Sequence, residues 1–282
     1  MTVLVTGATG TVGSQVVHEL RRRGVGARAF VRDRERAAAL LGGDVDLVAG
    51  DFEDPQSVRR ALAGVDRVLL SSADGPRKPE HEATVVDACA QTGVALVVKA
   101  STLGADPASR IPAFAWNGEA EERLRRSGVP AVILRSCFYM TNVLGLLDGD
   151  RLVAPAGQGR VAMIDPADVA AVAAAVLEAG DHAGETLALT GPEAIGFDRV
   201  AAALGATYVD PPPRAAREGL EAAGLPGWLV EQLDGVFALV RGGALADVTS
   251  TVAAVTGHEP RPFETFAREA ARAARVPAAP KR

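Results

Sequence analysis

The chain is poor in the residues that build disulfide frameworks and metal sites. Among 282 residues there are two cysteines, Cys89 and Cys137, and four histidines. No C-x-x-C pair occurs, and the histidines are scattered without the spacing of metal ligands. We therefore expect no metal site, and we expect both thiols to be small apolar residues in a reducing compartment.

A basic excess and long apolar runs are also missing. The net charge is −5 and no basic cluster stands out, which argues against nucleic acid as the main partner. No apolar run reaches the ~18 residues of a membrane-spanning helix. An apolar strand pattern that starts at residue 2 leaves no room for a signal peptide. We expect a cytoplasmic protein with no membrane or nucleic-acid partner, and its oligomeric state stays open.

Glycine is concentrated near the amino terminus. An apolar stretch at residues 2–6 leads into a G-x-x-G-x-x-G loop, and a helical pattern follows at residues 14–23. In a strand–loop–helix unit, such glycines let the backbone approach a pyrophosphate, whose charge the helix N-terminus binds. The alternative is a glycine-lined turn that binds nothing. The predicted dinucleotide contacts in the loop are Gly7, Thr9, Gly10, Thr11, Val12 and Gly13.

The end of the second predicted strand indicates which dinucleotide binds. That position meets the adenosine ribose in βαβ units. Here Arg32, with Arg36 close behind, presents planar donors suited to a 2′-phosphate. An acidic residue would instead bind a free 2′-hydroxyl, and Asp33 would do so if the strand tip shifts by one residue. NADPH is therefore favoured over NADH, with a merely solvated helix start as the alternative for the arginines.

Strand and helix patterns alternate along the first half of the chain, which is typical of a parallel sheet covered on both faces. Predicted strands span residues 2–6, 27–32, 46–50, 66–72, 95–101 and 131–135, and predicted helices 14–23, 35–41, 57–62, 81–92 and 119–127. A further strand is predicted in the second half of the chain, at residues 186–189. The fold class is α/β, a Rossmann-like doubly wound sheet with a smaller, mostly helical C-terminal lobe. We assign residues 1–150 to an NAD(P)-binding domain, to which 160–190 return. Residues 191–282 form a substrate lobe with a frayed end at 280–282.

Several motifs in order give the chain a full-length resemblance to a known family. They are VTGATGTVG at 5–13, GDFED at 50–54, EERLRRSG at 121–128, LRSCFYMTN at 134–142, IDPADVA at 164–170 and VTGHEPRPF at 255–263. The chain resembles the NmrA-like atypical short-chain dehydrogenases/reductases, especially the members that reduce quinones, azo compounds and triphenylmethane dyes.

The resemblance implies further site residues. It places the border between nicotinamide and substrate at residues 136–139, which include Cys137. Family members often carry His where this chain has Asn117 and Pro where it has Ser136. A mechanism in which that His donates the proton therefore does not apply to this chain. The implied cofactor contacts outside the glycine loop are Arg32, Asp51, Phe52, Ser71, Ser72 and Lys99.

The usual catalytic pair of short-chain dehydrogenases is absent. In Tyr-x-x-x-Lys, the lysine lowers the pKa of the tyrosine, whose phenol then gives a proton to a carbonyl oxygen. Four residues after Tyr139 and Tyr208 stand Val143 and Pro212. Reduction by this chain must therefore use another proton source.

Lys99 is the leading catalytic candidate. It is one of three lysines and interrupts an apolar strand near its carboxyl end. A buried ammonium needs partners, which a ribose hydroxyl or a nicotinamide-side oxygen would supply. The alternative is a side chain that reaches solvent from the strand end. Two more candidates are Ser101, to polarise a carbonyl, and Tyr139, to donate a proton or line a pocket; simple packing is the alternative for both.

A group of large side chains predicts the substrate site. Aromatic residues make up only 4% of the chain, yet they cluster around two of the quoted motifs. The alternative is that these residues pack the joint between two lobes. The predicted substrate contacts expected to line a wide apolar pocket are Trp116, Phe138, Tyr139 and Met140. Asn117 is a further predicted substrate contact.

Two functions fit these features. The first is an NADPH-dependent reductase of a flat aromatic ketone or quinone, such as a polycyclic secondary metabolite, in which hydride leaves nicotinamide C4. The second is an NADP(H)-binding redox sensor that reports its occupancy to a protein partner. The intact segment at residues 135–142 and the full C-terminal lobe favour the enzyme.

Overall fold

The computed structural model describes residues 1–275, and the predicted frayed end at residues 280–282 lies outside them. Strands and helices alternate up to residue 136. In chain order they are β1 (Thr2–Val5), α1 (Gly13–Arg22), β2 (Gly26–Val31), α2 (Arg34–Leu41), β3 (Asp46–Ala49), α3 (Pro55–Ala61), β4 (Arg67–Leu70), α4 (Lys78–Thr92), β5 (Leu96–Thr102), α5 (Pro112–Arg126) and β6 (Ala131–Ser136).

The rest of the described chain begins with a 3-10 helix at Met140–Leu146. Its remaining elements are β7 (Leu147–Asp148), β8 (Arg151–Val153), β9 (Arg160–Val161), α6 (Pro166–Ala179), β10 (Thr186–Leu189), β11 (Ile195–Gly196), α7 (Phe197–Leu204), β12 (Thr207–Val209), α8 (Pro213–Ala222), α9 (Gly227–Arg241), α10 (Thr251–Thr256) and α11 (Phe263–Arg275).

These elements form two compact units. Unit 1 comprises Met1–Ser136, Pro166–Leu189 and Thr251–His258. Unit 2 comprises Cys137–Asp165, Thr190–Ser250 and the described residues from Glu259 onward. The assignment of residues 1–150 to the cofactor and 191–282 to the substrate stays a prediction, since it concerns what each part binds.

Unit 1 is built on a parallel sheet of seven strands in the order β10-β6-β5-β4-β1-β2-β3. The order reverses between β1 and β4, which makes their carboxyl ends the topological switch point where ligands bind in such sheets. Helices α1, α6 and α10 pack together, and α3, α4 and α5 pack in series. The predicted α/β, Rossmann-like doubly wound fold is confirmed.

Alternation along the strands fills the core between the sheet and the α3–α4–α5 layer. Leu4, Leu70 and Val97 of the sheet meet Val85 of α4 and Leu124 of α5 in one buried cluster. Side chains of a strand alternate between its faces, so residues two positions after Val97 on β5 face the same helices. This parity brings polar residues of β5 against α4 and α5.

Two helices begin earlier than the sequence predicts. Helix α4 starts at Lys78 instead of residue 81, and α5 starts at Pro112 instead of residue 119. Both carry a proline in the first turn, where its missing N–H group costs nothing and its fixed φ suits the helix. The correction to α5 matters for function because it places Trp116 and Asn117 on the helix.

Unit 2 contains α7, α8, α9 and α11, as expected of a mostly helical lobe, together with short strands that the sequence did not predict. These strands pair β7 with β8, β8 with β12, and β9 with β11. They have two or three residues each, too few for a period-2 pattern. Across residues 1–275, no helix is long and apolar enough to cross a bilayer, and no group of three or more His, Cys, Asp or Glu is placed to hold a metal ion.

Candidate functional site

The loop between β1 and α1 has room only for glycine at its two ends. Gly7 has φ +60°, and a Cβ atom there would lie 2.8 Å from the Ser71 carbonyl oxygen. A Cβ atom on Gly13 would lie 2.2 Å from the Gly7 carbonyl oxygen. The loop is therefore folded back on itself and pressed against the end of β4, the close approach expected of a pyrophosphate cradle.

The first turn of α1 has no side-chain cap, although the Ser14 amide donates to Gly10 O at 3.1 Å. The N-cap residue, Val12, gives no side-chain hydrogen bond, and no acidic residue stands in the first turn. Thr9, Gly10 and Thr11 are exposed beside it. The positive end of the helix dipole suits a phosphate. The loop thus fits the dinucleotide predicted from the sequence.

Five of the remaining predicted cofactor contacts in unit 1 follow neighbouring strands at the same edge of the sheet. Arg32 follows β2, Asp51 and Phe52 follow β3, and Ser71 and Ser72 follow β4. Thr6 ties the end of β1 to β4, because its hydroxyl donates to Leu69 O at 3.0 Å and accepts from Ser71 N at 2.9 Å. The structure therefore brings these residues together, and their contacts with cofactor stay a prediction.

The two side chains after β2, Arg32 and Asp33, have different roles in the structure. The Asp33 carboxylate caps α2 by accepting a hydrogen bond from the Arg36 amide at 3.0 Å. Arg32 and Arg36 have exposed side chains, and Arg32 makes no hydrogen bond or ion pair within residues 1–275. Arg32 is thus available to an anion, whereas Asp33 already serves the helix.

After β3, Phe52 is held as a half-buried ring. It stacks on His81 with the ring centroids 5.4 Å apart and the planes at 29°, and it meets Phe30 at 5.4 Å. Asp51 accepts a hydrogen bond from the Glu53 amide at 3.0 Å, which fixes the turn. A flat ring at this edge suits stacking on a base.

Lys99 is fully buried in unit 1, so the alternative of a lysine that reaches solvent is wrong. It lies in β5, paired in register with Leu70, the last residue of β4. Its ammonium donates to Asn117 Oδ1 at 2.7 Å and to the Ala100 carbonyl, and lies 3.2 Å from Glu82 Oε2. Asn117 is fixed in turn by a 2.8 Å bond from Nδ2 to Ala113 O.

Glu82 joins Lys99 to a second buried lysine. Its other oxygen, Oε1, accepts from the Ser72 hydroxyl at 2.9 Å and lies 3.2 Å from Lys78 Nζ. Lys78 also donates to Ser72 O at 3.1 Å and lies 3.4 Å from the Asp74 carboxylate. Ser72, a predicted cofactor contact, therefore borders this charged cluster.

The cluster shifts the pKa values of its members in opposite directions. Burial, aided by the like charge of Lys78 and opposed by Glu82, lowers the pKa of Lys99 to about 8. Burial opposes ionisation of Glu82, but the two ammonium groups outweigh it and hold the pKa of that carboxyl below its usual range. Burial likewise opposes the charge of Lys78, yet Glu82 and Asp74 raise its pKa. Lys99 is thus the lysine poised near neutral pH.

Ser101 faces α5 next to Lys99, two residues along the strand. Its hydroxyl donates to Glu121 Oε1 at 2.6 Å. Glu121 is fully buried and accepts two bonds from Arg135, at 3.0 and 2.6 Å, and one from Arg125 at 2.8 Å. Burial opposes the ionised form, but the Arg135 hydrogen bonds hold the pKa of Glu121 below its usual range. The proton of Ser101 is directed at Glu121 here, and its catalytic role stays a prediction.

Sequence reasoning missed Lys78, Glu82, Glu121 and Arg135 as members of the site. Two signals were present: Lys78 and Glu82 are four residues apart on α4, as are Asn117 and Glu121 on α5. Residues four apart share a helix face. That the alternate residues Lys99 and Ser101 of β5 meet these faces became visible only in the folded structure.

The predicted substrate residues fall in both units. Trp116 and Asn117 lie on α5 in unit 1, and Phe138, Tyr139 and Met140 lie in unit 2. Asn117 is the partner of Lys99, which gives it a function besides the predicted substrate contact. Substrate binding by these residues stays a prediction.

In unit 2 the segment after β6 is anchored by backbone bonds. Ile164 N donates to Phe138 O at 3.0 Å, and Met140 N donates to Ile164 O at 2.9 Å. Phe138 and Tyr139 are half-buried, whereas Met140 is 1% exposed and packs in the interior of the unit. Cys137 is buried too, which raises the pKa of its thiol to about 11, so the predicted cofactor contact would involve a neutral thiol.

The fold and the cradle define the class of protein: a Rossmann-like protein that binds a nicotinamide dinucleotide. A family model described as NAD(P)H-binding matches residues 7–180, more than half of the chain. The chain belongs to this NAD(P)H-binding family, and the predicted resemblance to NmrA-like short-chain dehydrogenases/reductases is confirmed.

Characterised relatives resemble the chain over nearly its whole length. It is 33% identical to the NAD(P)H azoreductase of Xenophilus azovorans, with 94% of this chain and 96% of that protein covered. It is 36% identical to the (4-alkanoyl-5-oxo-2,5-dihydrofuran-3-yl)methyl phosphate reductase of Streptomyces griseus subsp. griseus, with 96% and 98% covered. The crystal structure of the NADPH-dependent quinone oxidoreductase of Escherichia coli complexed with NADPH has a TM-score of 0.86 at 27% identity, covering 95% of this chain and 99% of that one.

Proposed function

We propose that the protein is an NADPH-dependent oxidoreductase that reduces an aromatic ketone or quinone without a Tyr-x-x-x-Lys pair. The observation that carries the proposal is a buried lysine, Lys99, which lies in β5 level with the carboxyl end of β4, in a sheet whose first strand leads into a phosphate cradle. At the level of class, the prediction of an NAD(P)H-dependent reductase is confirmed by the relatives. The acceptor and the proton source are our proposal.

The relatives' names describe acceptors with a common chemistry. An azo compound, a quinone and a 5-oxo-2,5-dihydrofuran each contain an electron-poor conjugated system. Hydride added at one end of such a system leaves negative charge on a nitrogen or oxygen atom at the other. A fixed positive group stabilises that charge most effectively where water is excluded. We expect this chain to act on acceptors of the same kind.

The side chains around Lys99 suit it to stabilise that charge. Reduced nicotinamide supplies the hydride when it is bound. Asn117 and Glu82 hold the Lys99 ammonium in place, so its proton is oriented before any acceptor arrives. A group that loses its proton near pH 8 is a competent acid at neutral pH. Lys99 thus supplies the charge, and finally the proton, that Tyr-x-x-x-Lys supplies elsewhere.

Tyr139 is the second residue that we propose to act on the acceptor. The other tyrosine, Tyr208, donates to Ala154 O at 3.1 Å and to Gly157 O at 3.2 Å within unit 2. The Tyr208 hydroxyl is therefore already hydrogen-bonded to the backbone of the turn that follows β8. Tyr139 follows the border predicted between nicotinamide and substrate, where it either gives a proton or forms the wall against a flat ring.

We infer NADPH as the cofactor from the end of β2. Arg32 is exposed and uncommitted within the described residues, while Asp33 caps α2. Arginine forms paired hydrogen bonds with phosphate, and a carboxylate would repel it. Because Arg32 can bind a phosphate and Asp33 is already used by α2, we expect a 2′-phosphate to be preferred over a 2′-hydroxyl.

The test is to mix purified protein with NADPH and a panel of polycyclic quinones and aromatic ketones, and to follow the loss of the reduced nicotinamide. We expect oxidation with some acceptors. Tyr139→Ala should weaken use of the acceptor, as a higher KM, more than it weakens NADPH binding. Tyr208→Phe is the matched control and should keep the KM of the wild type.

The competing function predicts a different pattern. A redox sensor would bind NADPH tightly, oxidise none with any acceptor in the panel, and associate with a protein partner only when the dinucleotide is present. That combination would replace the reductase by the sensor.

A further inference from the structure

Lys78, Glu82 and Lys99 form a charge cluster inside unit 1 that we call the buried triad. Their side chains are 4%, 0% and 0% exposed. One carboxylate serves two ammonium groups: Oε1 of Glu82 lies 3.2 Å from Lys78 Nζ, and Oε2 lies 3.2 Å from Lys99 Nζ. Three charges buried out of contact with solvent carry a large desolvation cost, so the balance among them controls their protonation.

The two lysines are compensated unequally. Lys78 has a second carboxylate, Asp74, at 3.4 Å, and that side chain is 44% exposed. The other partners of Lys99 are neutral, namely Asn117 Oδ1 and the Ala100 carbonyl. Lys99 therefore depends on Glu82 alone for negative charge at contact distance, and it shares Glu82 with a competing cation.

The other charges near Lys99 lie beyond contact distance and belong to a group around Glu121. Glu121 of α5 is the next carboxylate and acts on Lys99 only through space. It is held by Arg135 of β6 and Arg125 of α5. Glu121 favours the charged form of Lys99 but acts on it more weakly than Glu82 and Lys78, so these two α4 residues chiefly govern the charge state of Lys99.

We propose that Glu82 and Lys78 are positioning residues that act in opposite directions on Lys99, Glu82 keeping its ammonium charged and Lys78 driving its proton off. The use of this balance in turnover rests on the proposed reductase function. With the depressed pKa of about 8 for Lys99, the ammonium is present at neutral pH and lost as the pH rises through that value. Activity that needs the charged form falls over the same range.

The scarcity of lysine makes a direct measurement possible. The chain has three lysines, so carbon-13 labelling of lysine gives three side-chain signals in an NMR titration. The Lys99 signal is the one that Lys99→Met removes. We expect it to titrate near pH 8 in the wild type, whether or not any acceptor is known.

Two substitutions should move this midpoint in opposite directions. Lys78→Met removes the repelling charge and should raise the Lys99 midpoint by on the order of 1 pH unit, while Glu82→Gln removes the attracting charge and should lower it by about 1 to 3 units. Glu80→Gln, an exposed carboxyl on the same helix, is the matched control and should leave it unchanged. If Glu82→Gln does not fold, the predicted upward shift of the Lys99 midpoint in Lys78→Met is by itself the test of the proposal.

Turnover measured against pH supplies the second readout. The alkaline limb of kcat should follow the NMR midpoint, upward in Lys78→Met and downward in Glu82→Gln. An unmoved Lys99 midpoint in Lys78→Met would overturn the proposal. A midpoint that moves while the alkaline limb stays in place would overturn its use in turnover. If no acceptor is reduced by any variant, the proposed function fails, and the NMR shifts still decide the balance within the triad.

Discussion

Replacing Arg32 with alanine tests whether the residue after β2 makes the protein bind NADPH more tightly than NADH. Arg32 follows the strand directly, is exposed, and forms no hydrogen bond or ion pair within residues 1–275. The substitution therefore removes no interaction of the described structure. Any change in cofactor affinity then reports the missing contact with the 2′-phosphate and not a loss of folding.

The magnitude follows from the exposure of the side chain. A hydrogen bond to a charged group is worth about 1.5 to 3 kcal/mol, which corresponds to roughly ten- to a hundredfold in affinity. Because Arg32 is exposed and screened by salt, we expect the lower end, about tenfold. The wild type should bind NADPH more tightly than NADH by that factor, and Arg32→Ala should lose most of the difference by weakening NADPH binding alone.

The assay is a titration of both dinucleotides by calorimetry or by nicotinamide fluorescence, at low and at high salt. The preference should shrink as the salt concentration rises. Arg126→Ala removes an arginine at the C-terminal end of α5, at the opposite edge of the sheet, and should keep the preference. Equal affinities in the wild type, or an unchanged preference in Arg32→Ala, would refute the assignment of Arg32 to the phosphate.

Three other substitutions test the site. Lys99→Met should lower turnover at saturating NADPH by about 100-fold, the scale of a lost general acid; normal turnover would make Lys99 a bystander. Gly13→Ala should weaken NADPH binding at least tenfold, because its Cβ would lie 2.2 Å from Gly7 O; an unchanged titration by a variant with normal circular dichroism would contradict the cradle. Arg135→Gln should lower the free energy of unfolding by about 2 to 3 kcal/mol, since it leaves the buried Glu121 carboxylate with fewer partners. Denaturant unfolding measures this loss, and a stability equal to that of the wild type would show that the pair contributes nothing.

The order of strands and helices in unit 1 was predictable because its causes are local. Apolar periodicity marks each strand and helix, and the glycine loop identifies the unit at the amino terminus that receives the dinucleotide. Even β10 was predicted at its observed bounds, Thr186–Leu189. A strand buried in a parallel sheet is a continuous apolar run, which a single sequence displays plainly.

The boundaries and partners around Lys99 were less accessible. Helix α5 was predicted to begin seven residues late, which left Asn117 in a loop. A lysine in an apolar strand indicates that polar side chains must contact its ammonium group, but those side chains lie on two helices, α4 and α5. Their identity depends on which face of α4 and α5 is turned to the sheet.

The sequence by itself determined the class of fold, the family and the nucleotide cradle, since each rests on local patterns: the alternation of strands and helices, a series of short motifs, and one strand–loop–helix segment. Only the tertiary structure decided the charge environment of Lys99. Glu82 and Asn117 lie 17 and 18 residues from it along the chain, yet they reach the same ammonium group. Strand parity and helix rotation set that convergence, and both are fixed by packing of the whole core.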